Sequence, residues 1–268
     1  MVGKGGLPPL GLNATQRQRG QATLPHPEPP ILSCFCKSYC SSVGEREAAM
    51  LVGHLAVALT AKKIEPKISL GTWTLAAFLA DLVAFPLLIA GVEHFDPVPG
   101  AQLNRTIGRD IVYSHSLLMD MLWGALFAGA YFLRRRYPRG AWMLFAVVVS
   151  HWILDVISHH PDMQLGPGFS QAYGFQLWSS LPATLIVEGG FWLMALVLYA
   201  RATRPAKFAG RYAFWIGAAL ITLVWYGNLH AGMDPNPVKA GIGGLILFSL
   251  MVAWAYWINR LCPMKVLS

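Results

Sequence analysis

The stretch LGTWTLAAFLADLVAFPLLIAGV, residues 70–92, decides the fold class. Its 23 residues hold one charged side chain, Asp81. A helix of that length rises about 34 Å at 1.5 Å per residue, enough to cross the ~30 Å hydrocarbon core of a bilayer. Similar runs follow at about 116–133, 141–158, 182–200, 212–230 and 240–258. A shorter one, MLVGHLAVALTA at 50–61, precedes it. Twelve residues are too few to span alone, so this run reads as a half-helix or re-entrant segment. Across all 268 residues, 55% are hydrophobic and 13% charged, and the mean hydropathy is +0.46. Soluble domains carry about 25% charged residues, so this composition excludes a water-soluble globule, and a disordered chain more firmly. The expectation is an all-α, polytopic membrane helix bundle: about six transmembrane helices plus a short N-terminal half-helix.

The loops between these runs test the count. Residues 62–69 hold Lys62, Lys63 and Lys67, and RRRYPRG at 134–140 holds four arginines. Loop 201–211 holds Arg201, Arg204, Lys207 and Arg211, and the tail holds Arg260 and Lys265. In the alternate loops, Arg105 and Arg109 face Glu93, Asp96 and Asp110; 159–181 has no Lys or Arg; 231–239 has only Lys239. Rich and poor loops alternate without a break, and the positive-inside rule places the first loop and the C-terminus in the cytoplasm. The net charge of +8 is thereby spread over several loops, which disfavours nucleic-acid binding.

Residues 1–49 have another composition. GLPPLGLNATQRQRGQATLPHPEPP is rich in Pro, Gly and polar residues and reads as a disordered N-terminal extension, with Met50 as the expected start of the 50–268 membrane domain. The four cysteines, Cys34, Cys36, Cys40 and Cys262, form neither a disulfide framework nor a complete metal-ligand set.

Ionisable groups at bilayer depth cost a few kcal/mol each on insertion scales and are functional candidates by default. The spans hold Asp81, Asp120, Asp155, Glu188 and His151, with His54 in the short run and His115 opening the second span. No Lys or Arg lies inside any span. Such an acidic set is neutralised by a metal, by a proton or ion pathway, or by isolated protonation. Spacing favours the metal. His151 and Asp155 stand one turn apart on a helix face, as ligands in helix bundles do, and His159 is the next step. Asp81 lies about 16 Å along its span, His151 and Asp155 about 15 and 21 Å along theirs, so all meet in the middle to outer half of the membrane with His54 and His115. Asp120, five residues beyond His115, falls off that face.

The ordered set Gly53-His54, Asp81, Tyr113-Ser114-His115-Ser116, Ser150-His151-Trp152-Ile153-Leu154-Asp155 and His159-His160-Pro161-Asp162 resembles a bacterial membrane-bound family of metal-dependent hydrolases, distantly similar to zinc-dependent phospholipase C. The resemblance covers roughly residues 50–200, with Ala80 where relatives often carry Pro before the Asp. It implies a protein integral to the bacterial plasma (inner) membrane, with His54, Asp81, His115, His151 and Asp155 as metal ligands. Imidazole and carboxylate donors without thiolate suit a divalent metal, zinc first, with manganese or iron as alternatives. His159 would extend the set to a two-metal site. Glu188 or Asp162 would serve as general base, and a membrane lipid, as ester or phosphoester, would be the substrate. The competing readings are a small transporter or proton- or ion-coupled permease, in which the acids carry ions, and a non-catalytic membrane protein whose metal is structural.

Overall fold

The computed structural model describes residues 51–97, 106–108, 110–205, 208–230 and 236–265, all within one unit, residues 43–268. The extension 1–49, with Cys34, Cys36 and Cys40, lies outside the described residues. Among the described residues eight α-helical segments follow in order, besides a single 3-10 turn at Leu177–Ser179: α1 Leu51–Ile64, α2 Leu70–Ala77, α3 Leu79–Ile89, α4 Leu117–Arg135, α5 Pro138–Ser158, α6 Leu181–Ala202, α7 Phe208–Asn228 and α8 Pro237–Leu261. Two short antiparallel pairs lie in the loops: β1 (Phe95–Pro97) with β2 (Thr106–Gly108), and β3 (Met163–Gln164) with β4 (Ala172–Tyr173).

The architecture is an all-α membrane bundle. Helices α4 to α8 are each long and apolar enough to cross a membrane, and α2 with α3, a pair bent by 52°, is long and apolar enough for a sixth crossing when the two are taken as one span. The outer helices turn large apolar side chains outward, among them Leu126, Leu133, Ile186, Leu193, Leu220 and Leu250. In water that surface would drive aggregation; against acyl chains it costs nothing.

Helix α1 is about 21 Å long, too short to span. Its sequence is apolar on all sides, which is the pattern of an enclosed helix. It packs against α2, α5, α6 and α7, with Leu51, Leu55 and Leu59 fully buried. The short N-terminal run is therefore the axis of the bundle.

The run 70–92 departs from a straight span. It breaks at Phe78, whose backbone (φ −103°, ψ 12°) leaves the helical region. The Phe78 ring is buried against Phe248 at 4.7 Å and edge-on to His54 at 6.5 Å, which holds the break in place. Glycines bring the neighbouring helix close. A side chain at Gly71 would run into the Tyr256 ring, and one at Gly244 into the Phe85 ring, so α8 lies directly against both half-helices. Small residues at such crossings are how membrane helices gain contact without a hydrophobic drive between them.

One end of the bundle collects the basic residues. There the Leu70 N–H donates to Asn259 Oδ1 (2.9 Å) and the Tyr137 hydroxyl donates to Glu65 Oε2 (2.6 Å). The Arg204 N–H donates to the Pro263 carbonyl (2.9 Å), so the ends of α1, α4, α6 and α8 that carry Lys62, Arg134, Arg201 and Arg260 lie together.

Candidate metal centre

The site forms where four elements meet near the opposite end of the bundle. His54 comes from the first turn of α1, Asp81 from the first turn of α3, His115 from the turn before α4, and His151 and Asp155 from α5. The structure brings all five together in two overlapping groups. One is His54, His151 and Asp155; the other is Asp81, His115 and His151. Within each group the ligand atoms lie within 4.8 Å of one another.

The distances have the scale of a coordination shell. His54 Nε2 is 3.1 Å from Asp155 Oδ1, and His151 Nε2 is 3.2 Å from Asp155 Oδ2. His115 Nε2 is 3.6 Å from Asp81 Oδ1 and 3.9 Å from Asp155 Oδ2, and His151 Nε2 is 3.8 Å from Asp81 Oδ2. Donors held about 2.0–2.2 Å from one tetrahedral cation stand roughly 3.3–3.6 Å apart. The longer separations are beyond hydrogen bonding. His151 Nε2 and Asp81 Oδ2 are buried and have no hydrogen-bond partner among the described residues. Buried orphans of this kind are costly unless something satisfies them, and a cation would satisfy both.

The break in the first span contributes directly. His151 Nδ1–H donates to the Ala77 carbonyl at 2.8 Å, the last residue of α2. A carbonyl only accepts, so this bond puts the proton on Nδ1 and leaves the Nε2 lone pair facing the carboxylates. His115 is set in the same way. The Ser114 hydroxyl donates to Glu93 Oε2 (2.6 Å), so Ser114 Oγ accepts from His115 Nδ1–H (2.7 Å). Glu93 Oε1 also accepts the backbone N–H groups of Tyr113 (3.0 Å) and Ser114 (2.8 Å). Fixing the tautomer through the other ring nitrogen is what outer partners of metal-bound histidines do. The His54 ring stacks on His151, with centroids 3.7 Å apart and planes 4° apart.

The remaining candidates fall elsewhere. His159 does not join either group: α5 ends at Ser158, and His159 turns into extended backbone (φ −73°, ψ 161°). Its Nδ1 lies 3.4 Å from Asp162 Oδ1 and its ring packs on Trp178. Asp162 therefore belongs with His159 in the loop. Glu188 is fully buried in a π-turn, Leu185–Gly189, inside α6. Its Oε1 accepts the Gly53 N–H (3.4 Å) next to His54, while Oε2 has no hydrogen-bond partner among the described residues. Asp120 is also fully buried, accepts the Trp152 N–H (3.2 Å) and lies within electrostatic reach of His151 and His115. The spacing rule that removes it from the site assumes that His115 is helical, and α4 begins only at Leu117. Glu93 and the Ala77 carbonyl carry no motif signal; Ser114 stands in the YSHS motif but does not declare its role.

Fold and site together define a class: an integral membrane helix bundle with a buried His/Asp cluster that could hold a metal ion. Compared with known proteins, the chain matches no family model, no curated protein and no solved structure.

Proposed function

We propose that the chain is a membrane-embedded metal-dependent hydrolase acting on a lipid ester or phosphoester, with zinc as the first candidate metal. The observation that carries this reading is the pair of orphaned buried atoms, His151 Nε2 and Asp81 Oδ2, inside a five-donor cluster whose two carboxylates have only histidines as ion-pair partners among the described residues. His54, His151 and Asp155 would hold the ion, with Asp81 and His115 completing the shell or taking a second ion. A bound divalent cation supplies a hydroxide near neutral pH and polarises an ester or phosphoryl oxygen. Glu188 is the acid–base residue of this reading, because Oε1 is held by Gly53 while Oε2 is left for a proton. The cluster lies inside a lipid-facing bundle, which favours a lipid substrate. The resemblance of the H…D…HS…HxxxD series to metal-dependent hydrolases supports the reaction type.

A second reading has its own observation. The broken helix α2–α3, with site residues at the break, is also how transporters build ion sites. Two measurements separate the readings. Metal content of the purified protein should be stoichiometric and fall at least tenfold in His151→Ala and Asp155→Ala, but not in His230→Ala. Release of product from fluorogenic lipid esters and phosphoesters should then require metal and be lost in Glu188→Gln with metal retained. Metal binding with no turnover on either substrate class, together with ion flux in proteoliposomes, would sink the hydrolase and leave the permease.

A further inference from the structure

A cavity of about 630 Å³ opens at the basic end of the bundle, away from the His/Asp cluster. Thr203, Arg204, Arg211, Phe214, Trp215 and Lys265 line it. It lies where α6 ends, α7 begins and α8 runs out. An antiparallel clasp builds its floor: Thr203 bridges Met264, the Arg204 N–H donates to the Pro263 carbonyl (2.9 Å), and the Lys265 N–H donates to the Ala202 carbonyl (2.8 Å). The clasp fixes Arg204 and Lys265 on one platform. Gly210 lets α7 lie close against the end of α8, since a side chain there would meet the Leu261 carbonyl at 2.8 Å, and Arg211, which lines the cavity, follows it directly.

Among the described residues no carboxylate forms an ion pair with this wall. From residue 189 to the C-terminus the sequence holds seven Lys and Arg, and its only acid is Asp234. Lys265 Nζ is occupied by the Arg201 carbonyl at 2.5 Å. Arg204 and Arg211 have neither an ion pair nor a side-chain hydrogen bond among the described residues. The positive-inside rule accounts for basic residues at this end, but not for two arginines, without an ion-pair partner among the described residues, lining one cavity together with Phe214 and Trp215.

We propose that this cavity binds a phosphate-bearing anion, with Arg204 and Arg211 as its charged partners. Guanidinium forks match phosphate oxygens in pairs, and basic pockets between membrane helices take anionic headgroups in this way. The buried ring of Phe214 and the exposed Trp215 give the site an apolar side, as a headgroup at the membrane interface requires.

The test uses the purified full chain in neutral detergent, with thermal unfolding followed as each probe is added. The probes are a short-chain phosphatidylglycerol, phosphatidylcholine of the same chain length, and inorganic phosphate. A ligand that binds only the folded state raises the midpoint as its concentration passes the dissociation constant. Phosphatidylglycerol should bind at least tenfold more tightly than phosphatidylcholine. Stabilisation by phosphatidylglycerol alone assigns the site to a lipid headgroup; stabilisation by phosphate at similar concentration assigns it to a soluble phosphate. In either case the paired change Arg204→Gln and Arg211→Gln should weaken binding at least tenfold, and Arg260→Gln should not. If the paired variant fails to fold, Arg204→Gln alone, at an exposed position, carries the same expectation. Raising salt about tenfold should also weaken binding, because the contacts are screened. No stabilisation by either anion, or binding that survives loss of the arginines, overturns the proposal.

Discussion

Ser114 Oγ stands between Glu93 and His115 with a single proton to give. At 2.6 Å it gives that proton to the carboxylate, and it therefore receives His115 Nδ1–H. Ser114→Ala should remove the acceptor while leaving every candidate ligand in place. Metal affinity, measured by titration calorimetry, should fall roughly 10–100-fold, the usual cost of losing an outer partner; an unchanged affinity would show that His115 is oriented by packing alone. At the other end of the bundle, Glu65 gives a pH signature. The Tyr137 hydroxyl holds its carboxyl below the ordinary value of 4.5, with Lys67 and Arg139 adding to the effect. A depressed folded-state pKa stabilises the fold above the unfolded pKa, and that contribution disappears as pH falls through the folded value. The difference in melting temperature between the parent protein and Tyr137→Phe should thus be full at neutral pH and shrink below about pH 4.5. A difference constant with pH would assign Tyr137 a packing role only. At this scale the sequence reveals the donors better than their supports. His54, Asp81, His115, His151 and Asp155 stand out because ionisable groups at bilayer depth are rare. Glu93 does not, because it lies in a loop, where no periodicity links it to Ser114 across 21 positions.

Helix α3 presents Asp81, and its position depends on how closely α8 lets it approach. Gly244 faces the Phe85 ring, and Gly241 faces Ile89 and the Phe85 carbonyl. Gly244→Leu should push α3 outward from Phe85 and carry Asp81 with it, one turn away. Overpacking of this kind costs about 1–3 kcal/mol, and metal occupancy should fall although no donor is altered. Normal occupancy in that variant would mean that Asp81 is dispensable to the shell. The break before α3 is the main feature that hydropathy misses. No Gly or Pro marks it: Pro86 sits inside α3, and the turn itself is at Phe78, an apolar residue in an apolar run. Its cause is tertiary, with Phe78 held by Phe248 and the Ala77 carbonyl taken by His151. The converse error occurs at the end of α5. The steps from His151 to Asp155 to His159 are periodic in sequence, yet the helix stops at Ser158 before the third step is taken. Periodicity tells which side chains share a face only while the backbone remains helical.

Over the whole molecule, the alternation of basic and non-basic loops becomes a polarity of the bundle. The ends of α1, α4, α6 and α8 bring Lys62, Lys63, Arg134, Arg135, Arg201 and Arg260 together. The loop 159–181, which holds neither Lys nor Arg, follows α5 at the other end, beside the His/Asp cluster. This much is legible in the sequence because loop charge and hydropathy are independent signals that agree. The enclosure of α1 follows from its uniform apolarity, but which helices surround it does not, since packing partners leave no trace in a single chain. Basic loops are retained in the cytoplasm during insertion, so the basic end should face inward and the cluster should lie nearer the outer surface. Two single-cysteine variants, made after replacing Cys34, Cys36, Cys40 and Cys262, test this orientation. Gln171→Cys and Arg135→Cys are both exposed and lie at opposite ends of the bundle. An impermeant maleimide added to intact cells should label the first and spare the second until the membrane is opened. The reverse pattern would invert the orientation and place the cluster near the cytoplasmic leaflet. Labelling of both in intact cells would put an even number of crossings between two loops that α5 joins directly, which a single spanning α5 forbids.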